Sequence, residues 1–563
     1  MPHFPEAAGL SVTATLDDLR AIDPADTTAV WVLGHGRTGD GGAGLFTWDA
    51  VLSEPDDNGM IILSRKAASG RWRRSNGGPS IEAAWFGAKG DGATNDTVAL
   101  KAALGAARRS GGQVRLGPGI FKLNQTLEIS SRVSLVGAGR GITTLGLMPN
   151  SDCDVVATVD FKRRSKTSGL SEAPWGFAIK DLTIDGGYLD GNWNASEANV
   201  TNRVGSGLKI FGRSFEIDVE VNNVAEHALH CEGYGPRGAS DVRSVIRLNG
   251  RVAGREGVIF RGPGDIAIEE LVFGLCGILP RPRADKEAVP STQFPGEQVD
   301  GLVIDGSKPF EGNVELGRVH IYACFGGTGF RTRGGCRIEA RHVTSESNLG
   351  GVSLSSSTHG FISGLAVRNN GRHHPNRTGT PPAPLPGARI DCRNGFMISA
   401  CGIFRSIVRE SLEGWPGLLI TGTGNSITVH HQNSTNPKTG TAYSGPAIVV
   451  EGDLNTVSGT IHDVVGDAAI IRGNLNTITL VVNGCTGAAL RREARRDGDL
   501  SRGEGNNLEA VFSRCGTGFQ SDGSARVERV ALVTTDRMRQ ADAFKGSPAS
   551  SAGQKWELTD TPP

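Results

Sequence analysis

A repeat of 21 residues towards the C-terminal end restricts the possible folds of this chain more than any other feature. Gly452–Ser458 reads GDLNTVS and Gly473–Thr479 reads GNLNTIT, so the same pattern returns after 21 residues. One coil of a β-helix, with short strands separated by turns, needs about this many residues. Asn at such a turn can hydrogen-bond to its copy in the next coil. The repeat therefore predicts parallel strands stacked coil upon coil.

Glycine accounts for 80 of the 563 residues and is spread along the whole chain. In a helical or doubly wound protein, each glycine inside a helix would cost about 1 kcal/mol. The sequence has no Gly-x-y period, which excludes a collagen-like triple helix. Short strands joined by tight turns tolerate glycine, so the composition agrees with the repeat and predicts an all-β chain.

The charge is balanced, with 59 basic and 59 acidic residues. Nucleic-acid-binding proteins usually have a basic excess, so we expect no nucleic-acid partner. No stretch approaches 18 apolar residues, and the opening MPHFPEAA has neither a basic nor an apolar region. We therefore expect no membrane partner and no signal peptide in this chain. The nine cysteines form no C-x-x-C pair, which indicates buried, reduced side chains rather than a disulfide framework.

The chain is predicted to have three parts. Residues 1–80 form a small β-rich module, in which Thr15 is the expected N-cap of a short helix. Residues 81–540 form the coiled β domain, which would carry the catalytic or binding surface. Residues 541–563 are poor in apolar side chains and are predicted to be a loosely ordered tail.

An apolar-periodic segment from Val98 to Ala107 predicts a helix, with Asn95 or Asp96 as its N-cap. The first coil of a β-helix leaves an apolar end open to water and to strand pairing. A short amphipathic helix placed over that end would cover it. We therefore expect this helix to cap the coils.

The same region carries a recognisable motif. Residues 86–97 read FGAKGDGATNDT, and residues 111–121 read GGQVRLGPGIF. This pattern resembles the start of pectate-lyase-superfamily β-helices, which include polygalacturonase-like hydrolases, mannuronan C5-epimerase modules and phage tailspikes. Residues 134–141 (SLVGAGRG) and 179–186 (IKDLTIDG) extend the resemblance.

The resemblance implies a right-handed parallel β-helix, a polysaccharide or oligosaccharide substrate and, from the tailspikes, a homotrimer. The same fold hosts many reactions, so the motif indicates the fold more strongly than the chemistry. The location stays open between the cytoplasm, a phage particle and secretion with the signal removed.

Ionisable residues are densest between Glu226 and Glu256, which suggests a catalytic site there. Hydrolysis of a glycosidic bond needs two carboxyl groups on opposite sides of the bond. If residues 228–232 form a strand, two of the candidate side chains share a face, and the next coil brings a further carboxylate. The catalytic candidates are Glu232, Glu256 and Glu226, and the substrate-binding candidates are His230, His227, Arg255 and Tyr234.

Two further positions are weaker candidates. Asp190 lies three residues before Trp193, and an aromatic ring beside a carboxylate is a common way to hold a sugar. Asp190 is therefore a further catalytic candidate and Trp193 a substrate-binding candidate. Asp300, in the segment VDGLVIDG, is a further substrate-binding candidate.

These residues favour a glycoside hydrolase that acts on a bacterial or plant polysaccharide with a pair of carboxylates and without a cofactor. A polysaccharide lyase is an alternative, in which Ca²⁺ or Arg would neutralise a uronate carboxylate. An intramolecular fructosyl transferase is another reaction that the resemblance allows. The Asp-Pro-His-Glu run of the epimerase modules is absent, which disfavours epimerisation. A non-catalytic, tailspike-like carbohydrate-binding protein is the remaining alternative.

Overall fold

A computed structural model describes most of the chain. The described residues are 10–75, 78–159, 161, 173–190, 200–232, 244–262, 266–277, 299–306, 313–324, 326–371, 385–393, 395–406, 415–434, 444–493, 504–522, 527–534, 544–545 and 555–560. They form two compact units, one ending at residue 249 and the other starting at residue 250.

The first unit begins with the small β-rich module. Its sheet has the order β1-β2-β3-β5-β4, with β1 and β2 parallel and the other pairs antiparallel. The predicted N-cap is confirmed, because the Thr15 side chain accepts from the Asp18 N–H and Asp18 returns the bond to the Thr15 N–H. The elements are β1 (Ser11–Thr13), α1 (Leu16–Ala21), β2 (Ala29–Val32), β3 (Gly44–Asp49), β4 (Ile61–Ile62) and β5 (Arg71–Arg74).

A buried arginine joins this module to the segment that follows it. The Arg74 side chain is 2% exposed and donates to the carbonyl oxygens of Gly42, Ala43 and Gly59, each at 2.9 Å. Its guanidinium carbon lies 4.5 Å from the ring centre of Phe46 in the module and 4.9 Å from that of Trp85 beyond it. Burial lowers the pKa of Arg74 to about 10, which still leaves the group charged at neutral pH. The positive charge of Arg74 is thus stabilised by the dipoles of three carbonyl groups and by the faces of two aromatic rings.

The coils of the first unit start directly after the module. Parallel pairs such as β8 with β11 and β9 with β12 stack one coil on the next. The elements are β6 (Ser80–Glu82), a 3₁₀ turn (Ala83–Phe86), β7 (Asp91–Asn95), α2 (Thr97–Ser110), β8 (Gln113–Arg115), β9 (Gly119–Leu123), β10 (Leu127–Ile129), β11 (Ser134–Val136), β12 (Thr143–Leu147), β13 (Val156–Thr158), β14 (Ala178–Asp185), β15 (Leu208–Phe211), β16 (Glu216–Val224), β17 (Leu229–Glu232) and β18 (Ser244–Ala253), of which β18 runs on into the second unit.

Helix α2 covers the first coil, as predicted. Leu100, Ala103 and Ala107 are fully buried on the face that packs against β6, β8 and β10. Asp96 is the N-cap residue, but its carboxylate does not cap the helix. It accepts instead from the backbone N–H groups of Lys89 and Gly90, at 2.8 and 3.0 Å. The carboxylate of Asp96, one of the two residues predicted as N-cap, therefore holds the glycine-rich motif before the helix.

The second unit consists of further parallel coils. Its core contains a row in strict register, Phe330-Val352-Ala388-Leu418-Ile448-Ala469-Leu490-Phe519, in which every side chain is essentially buried. The elements are β19 (Val258–Arg261), β20 (Ile266–Cys276), β21 (Leu302–Gly306), β22 (Asn313–Tyr322), β23 (Thr328–Gly334), β24 (Arg337–Glu346), β25 (Gly350–Leu354), β26 (His359–Arg368), β27 (Ala388–Ile390), β28 (Phe396–Ser406), β29 (Leu418–Ile420), β30 (Ser426–Ser434), β31 (Ile448–Val450), β32 (Thr456–Val464), β33 (Ala469–Ile471), β34 (Thr477–Arg492), β35 (Glu504–Ser521), β36 (Val527–Thr534), β37 (Phe544–Lys545) and β38 (Lys555–Asp560).

The repeat that predicted these coils forms a ladder of buried asparagines. The Oδ1 atoms of Asn455, Asn476 and Asn506 each accept from the backbone N–H of the ladder residue one coil earlier, at 2.8 to 2.9 Å. The ladder begins at Asn425, and its members are at most 1% exposed. The expected hydrogen bonds between stacked Asn residues are therefore present.

The described strands establish the fold class as a right-handed parallel β-helix with an N-terminal capping helix and a small β-rich module. Ordered strands also reach into residues 541–563, which were predicted to be a loose tail, because β37 pairs with β35 and β38 pairs with β36. The alternation of polar and apolar residues in Lys555–Thr559 (KWELT) is the local sequence signal for strand β38. Among the described helices, none is long and apolar enough to cross a membrane.

Candidate functional site

Two neighbouring strands of the first unit carry the densest group of ionisable side chains. Strands β15 and β17 are parallel and in register, with Leu208 opposite Leu229 and Lys209 opposite His230. Both leucines are fully buried, so the alternation of the strands directs Lys209, His230 and Glu232 to the outer face. Because adjacent strands lie about 4.8 Å apart, Lys209 and His230 are neighbours on that face.

Lys209 bridges two carboxylates. Its Nζ lies 2.9 Å from Asp154 Oδ1 and 3.2 Å from Glu226 Oε2, and all three side chains are at most 15% exposed. The hydroxyl of Ser206 lies 3.5 Å from the same Glu226 oxygen. Burial alone would lower the pKa of Lys209, but the attraction of Asp154 and Glu226 is larger and leaves that pKa above its ordinary value. The ammonium therefore stays protonated at neutral pH.

His230 is paired with a carboxylate on its own strand. Its Nε2 atom lies 2.8 Å from Glu232 Oε1, which confirms that the two side chains share a face. The His227 ring meets the His230 ring edge to face, with centroids 5.4 Å apart. Phe161 closes the other side, with its ring centre 5.3 Å from that of His230. A histidine fixed by a carboxylate and two rings has the orientation that proton transfer requires.

These residues form the candidate site, defined as Asp154, Lys209, Glu226, His227, His230 and Glu232. Carboxylates outnumber the permanently charged cation by three to one. Every side chain in it is largely shielded from water, and low local polarity strengthens each of these interactions. The arrangement can therefore donate and accept protons at two places in adjacent coils.

The other candidates in the first unit are less informative. Asp190 is exposed and follows Leu189, whose N–H donates to the Asn223 side chain at 2.9 Å. Trp193 and Tyr234 lie outside the described residues. Their roles in catalysis and substrate binding stay predictions.

The remaining candidates belong to the second unit. Glu256 Oε1 lies 3.6 Å from Arg333 Nη2, and the same nitrogen lies 3.2 Å from Asp300 Oδ2. Asp300 is fully buried and also meets Arg331 Nε at 3.0 Å. Burial raises the pKa of Asp300 against the opposing pull of the two arginines. Arg255 is half-buried beside Glu256.

The predicted pairing of Glu232 with Glu256 stays a prediction, because the two residues belong to different units. Within the first unit, the structure joins His227, His230 and Glu232 by direct contacts, and it pairs Glu226 with Lys209, the register partner of His230. Within the second, it connects Glu256 to Asp300 through Arg333.

Sequence reasoning missed Lys209 and Asp154. Lys209 precedes its register partner His230 by 21 residues, which is the period of the repeat nearer the C-terminus. That spacing was a usable signal, since it predicts an outward lysine one coil before the histidine. Asp154 has no such signal, because it lies just before β13 and its contact with Lys209 spans 55 residues of irregular spacing.

The described residues contain no group of three or more His, Cys, Asp or Glu side chains arranged to hold a metal ion. The nine cysteines form no disulfide, and seven of them are buried. Burial raises the pKa of the Cys231 thiol, which lies under the candidate site, and keeps that thiol protonated.

Two family models match the N-terminal part of the chain. Residues 12–77 match a model described as a phage tail protein small four-stranded β-sheet domain. Residues 81–187 match a model described as rhamnogalacturonase A/epimerase, pectate lyase-like. The boundary between the two matches falls where the β-rich module ends and the coils begin.

Curated relatives are similar over a short segment. An alginate lyase of Azotobacter vinelandii is 34% identical over 138 residues, covering 21% of this chain and 15% of the relative. A mannuronan C5-epimerase, AlgE2 of the same organism, is 36% identical over 123 residues, covering 19% of this chain and 12% of the relative. The chain thus matches less than a sixth of the length of either relative.

Solved structures are similar over a longer part of the chain but at low identity. The tailspike protein gp49 of the Acinetobacter baumannii bacteriophage Fri1, a capsular polysaccharide depolymerase, is 13% identical with a TM-score of 0.41, covering 92% of this chain and 76% of that one. The A-module of the Azotobacter vinelandii epimerase AlgE4 is 12% identical with a TM-score of 0.34, covering 84% of this chain and 99% of that one. Residues 81–187 are thus similar to pectate-lyase-like proteins, and they lie in the part of the chain where the parallel coils begin.

Proposed function

We propose that the chain is a polysaccharide-processing enzyme that works at the candidate site of the first unit, and that its reaction is hydrolysis of a glycosidic bond. The observation that carries this proposal is a pair of dyads at the adjacent strands β15 and β17: Lys209 of β15 with Glu226, which precedes β17, and His230 with Glu232 on β17. Each dyad presents one carboxyl group next to a group that fixes its position. Two such carboxyl groups are what glycoside hydrolysis requires.

The two carboxyl groups would have different tasks. Glu226 faces an ammonium that stays charged, and a permanent cation favours the ionised form of its neighbour. We assign Glu226 the role of the ionised group, acting as base or nucleophile. Glu232 would deliver the proton to the leaving oxygen, with His230 as its relay at 2.8 Å.

The charge of the site supports a substrate with few negative groups. The site contains three carboxylates and one lysine, so a polymer with a carboxylate on every sugar would be repelled. A neutral or sparsely charged exopolysaccharide avoids that repulsion. Hydroxyl groups of such a polymer can donate to the carboxylates and accept from the lysine.

β-Elimination is the second candidate reaction, because a histidine oriented by a carboxylate also suits abstraction of a carbon-bound proton. The alginate lyase similarity over 138 residues supports it. In that reaction His230 would be the base, and Ca²⁺ or an arginine would neutralise the uronate.

The test is a product assay on neutral exopolysaccharides, fructans and polyuronates, with and without added Ca²⁺. Hydrolysis adds water and creates no unsaturated product, whereas β-elimination creates products that absorb in the ultraviolet. Anhydro products would indicate transfer. Binding of a polymer without turnover would contradict an enzyme and favour the non-catalytic alternative.

Substitutions at the site give a sharper test. We expect Glu232→Gln and Glu226→Gln each to lower kcat by at least about 100-fold, with little change in folding. Glu216→Gln is the matched control, since Glu216 is 41% exposed and pairs with Arg247 outside the site. Full activity in both site variants would place the reaction elsewhere in the chain.

We also propose that the protein assembles as a homotrimer. The resemblance to tailspikes supports this assembly, and the balanced charge of the chain places no net repulsion between copies.

A further inference from the structure

Two cysteines of the second unit occupy matching positions in successive coils. Strands β34 and β35 are parallel, and Cys485 is the register partner of Cys515. Val464, one coil earlier, precedes them in the same row. Because adjacent parallel strands lie about 4.8 Å apart, the two Cα atoms fall within the roughly 4.4–6.8 Å window that a disulfide bridge spans.

The two thiols are close enough to influence each other. The neighbouring Cys515 thiol, together with burial, raises the pKa of Cys485 far above its ordinary value. Cys485 Sγ lies 3.4 Å from the Gly487 carbonyl oxygen, and Cys515 Sγ lies 3.3 Å from that of Ser513. Side chains of register partners on parallel strands project to the same face, so rotation about the two Cα–Cβ bonds can bring the sulfur atoms together.

The pair differs in access to solvent. Cys485 is 4% exposed, whereas Cys515 is half-buried at the surface of the last coils. A small oxidant can therefore reach Cys515 first. The register of β34 with β35 is also irregular immediately after Cys485, which gives the backbone local freedom to adjust.

We propose that Cys485 and Cys515 are a site of oxidation to a disulfide that joins two successive coils of the second unit. The bond closes the chain from 485 to 515 into a loop and restrains the unfolded state. Its effect is to secure the coils nearest the C-terminal end, where the solenoid has fewest neighbours to hold it.

The oxidant is a low-molecular-weight disulfide such as glutathione disulfide. The Cys515 thiolate attacks one sulfur of that disulfide, which forms a mixed disulfide and releases the first glutathione thiolate. The Cys485 thiolate then attacks the Cys515 sulfur and releases the second. The protons of the two cysteine thiols end on the two released glutathione molecules, so two electrons pass from the protein to the oxidant.

The chain contains a matched internal control. Cys276 and Cys324 are also neighbours, and burial together with the Cys324 thiol raises the pKa of Cys276 well above its ordinary value. Both are fully buried, so the oxidant cannot reach them in the folded chain. Oxidation governed by access and register should therefore select Cys485 with Cys515 and leave this second pair reduced.

The experiment incubates the full chain with glutathione disulfide at mildly alkaline pH and maps its peptides under non-reducing conditions. We expect one cross-link, between the peptides that contain residues 485 and 515, with the loss of two hydrogen atoms in mass. Cys276 and Cys324 should be alkylated only after unfolding. The thermal midpoint should rise by a few degrees on oxidation and return on addition of dithiothreitol.

Variants separate the effect of the Cys485–Cys515 disulfide from a general effect of oxidation. Cys515→Ser and Cys485→Ala should each remove the rise in thermal midpoint, and Cys485→Ala should accumulate a glutathione adduct on Cys515. The proposal is overturned if the wild-type chain stops at that adduct, if the cross-link forms only after denaturation, or if it forms without raising the midpoint. The peptide map of the wild type decides the matter even if a variant fails to fold.

Discussion

His431 is a buried histidine whose ring nitrogens make no hydrogen bond to any residue that the structure describes. It is 1% exposed in the core of the second unit, and neither ring nitrogen has a hydrogen-bond partner among the described residues. Burial lowers its pKa well below the ordinary value, and the nearby Arg405 and His462 lower it further. The folded chain therefore holds His431 neutral, at the cost of an unsatisfied ring N–H.

This environment predicts a pH dependence of stability. In the unfolded chain His431 takes up a proton below about pH 6.5, while in the folded chain it does not. The unfolded state then binds more protons, so stability that is present above pH 6.5 is lost as the pH falls below it. We expect His431→Leu to stabilise the chain more at pH 5 than at pH 8, by up to about 2 kcal/mol.

Thermal midpoints at the two pH values measure this difference. His430→Leu is the control, because it makes the same substitution at the exposed neighbour on the same strand. An equal effect of His431→Leu at both pH values would mean that the histidine is protonated in the folded chain.

Arg74 illustrates the opposite case, a buried charge with every partner in place. Its three carbonyl acceptors need the planar fork of a guanidinium, which a lysine cannot supply. We expect Arg74→Lys to destabilise the first unit by about 2–4 kcal/mol, because at least two carbonyl groups lose their donor. Arg73→Lys, at the exposed neighbouring position, should change stability by less than about 0.5 kcal/mol. Equal midpoints for the two variants would contradict this role.

At the scale of elements, the asparagine ladder determines how firmly one coil is fixed to the next. Asn455 accepts from the Asn425 backbone at 2.9 Å and donates through Nδ2 to the Gly422 carbonyl at 3.0 Å. We expect Asn455→Ala to cost about 2–3 kcal/mol, since buried backbone groups in two coils lose their partners. Thr456→Ala, at the exposed next position, should cost less than about 1 kcal/mol.

Hydrogen exchange measures the loss locally. In Asn455→Ala, amide protection should fall in β30 and β32 and remain unchanged in the strands of the first unit. Uniform loss of protection over the whole chain would mean that the ladder acts globally rather than between neighbouring coils.

The elements that sequence reasoning predicted well are those with a local signal. The 21-residue repeat identified the turns that contain Asn455 and Asn476, and the apolar spacing identified the helix that the structure places at Thr97–Ser110. Thr15 was identifiable as an N-cap because its partner Asp18 is three residues away. In each case the residues that interact are either close in sequence or separated by a fixed period.

The parts that could not be predicted depend on contacts without a period. Lys209 meets Asp154 across an irregular stretch, and no pattern in the sequence relates those two positions. Asn95 or Asp96 was expected as the N-cap, and Asp96 occupies that position, but the glycine motif before the helix offers two backbone donors that bind its carboxylate instead. The candidate site is therefore partly readable from sequence: the His230–Glu232 pair is local and Lys209 lies 21 residues before His230, whereas no pattern indicates Asp154.

At the scale of the whole molecule, assembly gives the last prediction. Leu454 and Leu475 occupy equivalent turns of successive coils, adopt left-handed backbone angles (φ of 59° and 54°) and are 55% and 54% exposed. A bulky residue in that conformation costs about 1 kcal/mol or more of conformational free energy. In the isolated chain, the two exposed leucine side chains gain no burial that would offset this cost. Burial against a second copy would offset this cost.

We therefore expect light scattering to give three times the chain mass of 59.1 kDa for the wild type. The double variant Leu454→Asn, Leu475→Asn should shift towards the single-chain mass, because Asn accepts the left-handed conformation but removes the apolar surface. Val51→Asn is the control, since Val51 is 92% exposed in the first unit and should leave the assembly unchanged. A wild-type mass of one chain would contradict the trimer, whereas a trimeric double variant would place the contact between copies on another surface.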